Sequence, residues 1–132
     1  IRQEYQTIPD GALDRHQVIQ ILVNLISNAK NAMAAAEGRP RRLLLRLEPA
    51  GDRPGFIRFQ VVDTGVGILP EHLTLIFTQG FTTRPDGHGI GLHSAALAAK
   101  NMGGTLRAES DGHDRGATFT LDLPFVPLEV PV

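Results

Sequence analysis

The chain has 132 residues, room for one domain and hardly two, and at 42% hydrophobic and 20% charged it is not a disordered tail. Thirteen basic residues against fourteen acidic ones leave a net charge of -1, which excludes a protein whose main work is neutralising nucleic-acid phosphates. The absence of cysteine removes disulfides, thiolate metal sites and cysteine nucleophiles, and no apolar run approaches the roughly 20 residues that span a bilayer. With Ile1 first, and neither an initiating Met nor a signal peptide, residues 1–132 are expected to form one domain of a longer protein that does not itself insert into a membrane.

In chain order, residues 14–36 carry the longest helical pattern, with Asp14 placed to cap it and Gly38 and Pro40 placed to end it. Residues 43–48 and 56–62 read as a hairpin across a turn rich in Pro and Gly. A Gly-rich loop follows at 63–67, then a short helix starting near Pro70 and a long aperiodic loop over 77–91. A second helix is expected over 91–101, ending at Gly103 and Gly104, and two more strands over 105–110 and 117–123. In the last strand Ala117, Phe119, Leu121 and Leu123 alternate with Thr118, Thr120 and Asp122, which predicts one buried and one wet face. The tail from Pro124 looks like the exit from the domain. The sum is an α+β two-layer sandwich: a mixed, mostly antiparallel sheet with helices on one face.

Three stretches point to chemistry. On the long helix, Val18, Leu22, Leu25, Ile26, Ala29, Ala32 and Met33 share one face, while Gln17, Gln20, Asn24, Ser27, Asn28 and Asn31 share the other. A solvated face is the plain reading. Yet Asn costs about 0.6 kcal/mol against Ala inside a helix. Solvated faces favour Glu, Lys, Gln and Arg, and residues 17–36 hold three Asn and no carboxylate. Neutral amides can ligate a hard cation and donate to phosphate. Asp63, at the break of a strand into Thr64-Gly65-Val66-Gly67, is either an ordinary turn residue or a carboxylate on a pocket floor that accepts an amine proton. Gly87-His88-Gly89-Ile90-Gly91-Leu92 leads into a helix whose free amides and positive dipole end suit an anion, or it is a flexible connector. No Gly-Lys-Ser/Thr follows, so it is not a Walker loop, and the antiparallel strands around it do not suit a dinucleotide fold.

Taken together, these stretches resemble the GHKL ATP-binding (Bergerat) fold over nearly the whole chain. Gln20-Ile-Leu-Val-Asn24-Leu-Ile-Ser-Asn28-Ala29-Lys30-Asn31-Ala32 resembles the N box, and Asp63-Thr-Gly-Val-Gly67 the G1 box. Ile76-Phe77-Thr78-Gln79-Gly80-Phe81-Thr82-Thr83-Arg84 resembles the F box, 87–92 the G2 box, and Gly116-Ala117-Thr118-Phe119 the final glycine box. Within that superfamily the chain is most similar to the catalytic domain of a bacterial sensor histidine kinase.

The resemblance implies ATP and Mg²⁺ as ligands. Asn28 would hold the metal, with Asn24 and Asn31 along the phosphate side. Asp63 would take the adenine amino group, with Gly65, Gly67 and Ile68 around the ring. Gly87, His88, Gly89, Gly91 and Leu92 would hold phosphates under a lid between Phe77 and Gly87, where Thr83 also lies. Arg84 would reach the γ-phosphate. ATP-hydrolysing relatives carry a Glu four residues before the magnesium Asn, whereas this chain has Asn24, which cannot activate water. That difference favours phosphoryl transfer to a histidine over a GHKL ATPase or a serine kinase. Ala117 stands where many relatives have Thr beside the adenine, which leaves some room for a degenerate nucleotide-binding module. None of His16, His72, His88, His93 and His113 sits in a dimerisation-helix pattern. His16 reads as a surface or capping residue and His93 as packing on its helix. The acceptor is therefore expected on a separate histidine-containing dimerisation domain of the same protein, with a response regulator downstream. A cytoplasmic location is expected, with the parent protein free or anchored in the inner membrane.

Overall fold

A computed structural model describes residues 2–5, 11–12, 15–36, 38, 40–78 and 91–127. Two helices, α1 (Arg15–Ala35) and α2 (Gly91–Asn101), pack on a five-stranded sheet. Its strands are β1 (Arg2–Tyr5), β3 (Leu43–Pro49), β4 (Phe56–Asp63), β5 (Thr105–Glu109) and β6 (Ala117–Pro124), in the order β1-β3-β4-β6-β5. All pairs are antiparallel except β1 with β3. A parallel pair needs a long crossover, and α1 supplies it. A second small sheet joins β2 (Gly11–Ala12) to β7 (Val126–Pro127). Neither β1 nor this pairing was legible in the sequence. Val126 and Pro127, read there as an exit tail, are held to the other end of the chain.

The expected helices and the four central strands are present within a residue or two. The expected cap, Asp14, lies outside the described residues. The segment at Pro70 is a single 3-10 turn, Pro70–His72, continued by irregular turns to Phe77. Gly103 and Gly104 end α2 as expected: their amides donate to the carbonyls of Lys100 and Ala99 at 3.0 and 2.8 Å.

The core lies between the helices and one sheet face. On α1, Val18, Ile21, Leu25, Ala29 and Met33 are buried, three or four residues apart, as one helical stripe requires. They meet Ile57 and Val61 of β4 and Phe119, Leu121 and Leu123 of β6. On α2 the buried positions are Ala95 and Ala99, small side chains that let the helix lie close to its neighbours. The core stripe does not hold every apolar residue of α1, because Ile19 and Val23 are more than half exposed.

The opposite sheet face departs from expectation. Thr120 and Asp122, assigned by alternation to a wet face, are each only 1% exposed. Long polar side chains cover them. Arg58, directly across the strand pair, donates from Nε and Nη2 to the two Asp122 oxygens at 2.8 and 3.0 Å. Arg53 adds a third bond at 3.3 Å while its guanidinium lies 4.0 Å from the Phe56 ring centre. Gln60 Nε2 donates to Thr120 Oγ1 at 3.2 Å. Burial alone would push the Asp122 carboxyl up. The hydrogen bonds and charge of Arg58, helped by Arg53 and Arg107, outweigh that and hold it below the usual carboxylate range.

A carboxyl depressed in the folded state stabilises the fold above its unfolded pKa, and that contribution is lost as pH falls through the folded value. Removing one partner of a buried pair leaves an uncompensated charge. Arg58→Leu is therefore expected to lower the free energy of unfolding by about 3 kcal/mol at neutral pH, read by urea denaturation. The deficit should narrow on acidification, as Asp122 becomes protonated, and Asp122→Leu in the same chain should restore most of it.

Candidate functional site

The site is organised by one stripe of α1. Asn24, Asn28 and Ala32 are spaced four apart, so they lie one above another along about 12 Å of helix. At the first of these positions, Asn24 Nδ2 donates to the carbonyl of Gly91 at 3.3 Å and fixes the first residue of α2. At the third, the Val66 amide donates to the carbonyl of Ala32 at 3.1 Å. The two glycine segments thus reach the same helix from opposite ends of one stripe, and Asn28 stands between them. Asn28 is half-buried, and among the described residues its carboxamide has no hydrogen-bond partner. Asn31, one turn on, is exposed.

The loop after β4 lies so close to α1 that only glycine fits. A Cβ on Gly65 would stand 2.6 Å from the Ala32 carbonyl carbon. Gly67 has φ of +75°, and a Cβ there would stand 2.1 Å from the Gly112 carbonyl oxygen. The loop is therefore held between α1 on one side and the β5–β6 hairpin on the other. Two further bonds tie it to that hairpin, Asp114 N–H to the Val66 carbonyl at 2.7 Å and Gly116 N–H to the Gly65 carbonyl at 3.2 Å. Ile68 follows, half-buried against the core.

Asp63 ends β4 opposite Ala117 of β6 and is 3% exposed. Its Oδ1 accepts the Gly65 amide at 2.8 Å, which closes the turn. Its Oδ2 is buried and, among the described residues, has no hydrogen-bond partner. Burial pushes this carboxyl above the ordinary value, and the amides of Gly65 and Ala117 pull back less strongly. A buried acceptor without a donor is costly by about 1–3 kcal/mol, and a ligand N–H would offset that cost. An amino group is the chemistry that fits.

At α2, an 11-residue helix begins at Gly91, whose carbonyl Asn24 holds, and the free amides and positive dipole end of such a terminus suit an anion. Leu92 is half-buried against the core. His93 does not merely pack on its own helix: its Nδ1 lies 3.0 Å from the Phe77 carbonyl oxygen. The Phe77 ring meets Phe119 edge-on, with centroids 6.2 Å apart. The remaining expected site residues, Thr83, Arg84, Gly87, His88 and Gly89, lie outside the described residues, as do Gln79 to Thr82 of the F-box-like stretch. A separate hollow of about 160 Å³ borders Asp63, Ser110, Arg115 and Gly116, but Val62 and Thr118 also line it. Strand alternation turns those two side chains away from the helices, so this hollow opens away from α1. Among the described residues no group of three His, Cys, Asp or Glu side chains could hold a metal, and no helix is long and apolar enough to cross a membrane.

Of the residues singled out in the sequence, the structure bonds Asn24 to Gly91 and Asp63 to Gly65, seats Gly65 on the Ala32 turn, and places Asn28 on α1 between Asn24 and Ala32. Sequence reasoning missed Ala32, whose carbonyl anchors the loop, and Ser110, which binds the loop from the hairpin side. A serine before an Asp-Gly turn was the only available signal for the second.

Comparison with known proteins places the chain in a family. The two-component sensor PprA of Pseudomonas aeruginosa is 36% identical over 110 residues, which cover 82% of this chain and 12% of that protein. The sensor protein FixL of Bradyrhizobium diazoefficiens is 39% identical over 111 residues, covering 84% and 21%. The chain thus spans only 12% and 21% of the length of these two curated relatives. The full-length structure of ShkA in complex with AMPPNP superposes with a TM-score of 0.82 at 27% identity, covering 99% of this chain and 27% of that one. Residues 13–127 match the family described as histidine kinase-, DNA gyrase B-, and HSP90-like ATPase, and the chain belongs to that family.

Proposed function

We propose that this chain is the ATP-binding catalytic part of a sensor histidine kinase, and that it passes the γ-phosphoryl group of ATP to a histidine on a dimerisation domain of the same protein. The observation that carries the nucleotide assignment is the unpartnered Oδ2 of Asp63, buried at the floor of a loop that α1 and the hairpin both hold in place. An adenine amino group would donate to it, and guanine, with a carbonyl at that position, would not. Ring contacts would come from Gly65, Gly67 and Ile68. The phosphates would lie toward the N-terminus of α2, at Gly91 and Leu92, with Gly87, His88 and Gly89 before it and Thr83 and Arg84 reaching over them. Both PprA and FixL are sensors by name, and ShkA was solved with an ATP analogue, which supports the reading.

Asn28 fits Mg²⁺ through its free carboxamide oxygen, a hard donor, with phosphate oxygens completing the shell. Bound there, the ion would neutralise charge on the phosphates. The rest of the chemistry is positioning. The β–γ phosphoanhydride bond breaks, an N–P bond forms on the acceptor imidazole, and ADP leaves. Asn24 cannot act as a base, and its amide is engaged with Gly91, so nothing at that position activates water. A response regulator would then receive the phosphoryl group from the histidine.

Calorimetric titration of the 132-residue chain with Mg-ATP should give saturable binding, and its absence in the wild type would sink the proposal. Asp63→Asn should weaken ATP by about 10- to 100-fold, the worth of a hydrogen bond to a charged group. The same change should not lower the melting temperature at pH 7. Asp63 binds its proton more tightly folded than unfolded, so its ionisation counts against the apo fold as pH rises past the ordinary carboxylate value. Binding of ATP to the wild type should weaken on acidification at a pH above that of an ordinary carboxylate, and Asp63→Asn should lack this limb. Asn28→Ala should remove the Mg²⁺ dependence of ATP affinity, measured with and without a chelator. Mixing the chain with its own dimerisation domain and γ-labelled ATP should label histidine, whereas steady release of phosphate by the chain alone would favour an ATPase.

A further inference from the structure

Ser110 follows β5 and opens the hairpin to β6, and its hydroxyl is saturated by backbone groups alone. Its Oγ accepts the amide of Ile68 at 3.0 Å and the amide of Gly112 at 3.2 Å. It donates to the carbonyl of Gly116 at 2.6 Å, with the Gly112 carbonyl a more distant alternative at 3.4 Å. One donor and two acceptors are all a serine hydroxyl has. Two of these partners belong to its own hairpin, and the third, Ile68, belongs to the loop that Asp63 begins. A single side chain thus links the two chain segments that enclose Gly67, whose close approach to Gly112 leaves no room for play. Gly116, the residue to which Ser110 donates, in turn donates to Gly65 and precedes Ala117, the strand partner of Asp63. Both routes from the hydroxyl end at the backbone on either side of the Asp63 carboxylate.

We propose that Ser110 is a positioning residue for base selection: by fixing the loop 65–68 against the hairpin, it holds the Asp63 carboxylate where it accepts an adenine amino group and repels a guanine carbonyl. This rests on the nucleotide reading above. Among the described residues the hydrogen-bond partners of Ser110 are Ile68, Gly112 and Gly116, on the Asp63 side, so its influence falls on which base is bound rather than on the transfer step. The effect passes through three hydrogen bonds to backbone, and neither alanine nor a thiol, which is a weak acceptor, replaces them.

The test is competitive binding of ATP and GTP to the 132-residue chain and its variants, with thermal melting as the check on folding. In the wild type ATP should bind well ahead of GTP. Ser110→Ala should cut the GTP-to-ATP ratio of dissociation constants by about tenfold, the worth of one to two lost hydrogen bonds. Ser110→Thr, which keeps the hydroxyl, should retain the wild-type ratio. Should Ser110→Ala fail to fold, Ser110→Cys replaces it and should lower the ratio in the same direction. Equal weakening of both nucleotides, with the ratio unchanged, would mean that Ser110 merely supports the fold, and the proposal would fall. A Thr variant as unselective as the Ala variant would overturn it too. Failure of the wild type to bind either nucleotide would overturn the nucleotide reading itself, an outcome distinct from both.

Discussion

The site depends on the closeness of one contact, the seating of Gly65 and Val66 on the Ala32 turn of α1. The Val66 amide reaches the Ala32 carbonyl at 3.1 Å, and the space beside Gly65 is too small for a methyl group. Because the loop cannot move away without losing that bond, the end of β4 is fixed relative to the helix that carries Asn24 and Asn28. A helix is stiff over two turns, so one seated loop at residue 32 and one hydrogen bond at residue 24 set the separation of the Asp63 loop and the start of α2, the ends proposed for base and phosphates. A ligand with an amine at one end and phosphates at the other is measured against that separation.

The same closeness explains why a charge can stay buried without a partner. Asp63 would be more comfortable protonated or turned toward water. It is prevented from turning by the Gly65 amide on one oxygen, and the loop that carries this amide is itself held by α1 and the hairpin. The cost of the unpartnered oxygen is spread over backbone bonds that form whether or not a ligand is present. Asp122, on the other sheet face, shows what the fold does with a buried carboxylate it has no other use for. There two arginines surround it, and its pKa moves the opposite way. Two aspartates at similar exposure, one bonded on both oxygens and one on a single oxygen, show that burial alone does not fix how a carboxylate is satisfied.

The helices, the central strands and the approach of the G1-like loop and of Gly91 to α1 were legible because each is written in local pattern. Period marks the helices, alternation marks the strands, and glycines mark the turns. What the sequence did not reveal is non-local. The parallel pairing of β1 depends on where α1 returns the chain, and β2 with β7 depends on the two ends meeting. Alternation placed Thr120 and Asp122 on the outer face correctly but could not show that Arg58, Arg53 and Gln60 fold down over them. The His93 contact with Phe77 and the Ser110 bond to Ile68 join residues 16 and 42 apart, beyond the reach of any local signal.

Asn24 shows how one substitution at a shared position can change both chemistry and architecture. A carboxylate at residue 24 would bring a base to the phosphate side, but it would also face the carbonyl of Gly91, and two acceptors repel. An amide presents N–H to the same carbonyl and draws the first turn of α2 against α1 at 3.3 Å. The residue that cannot activate water is thus also the one that makes the inter-helix bond. The helix end that would bind phosphate is fixed by the residue whose identity argues against hydrolysis. An enzyme that must keep ATP intact until an acceptor arrives gains on both counts: its phosphates meet a stationary helix terminus, and no base stands beside them.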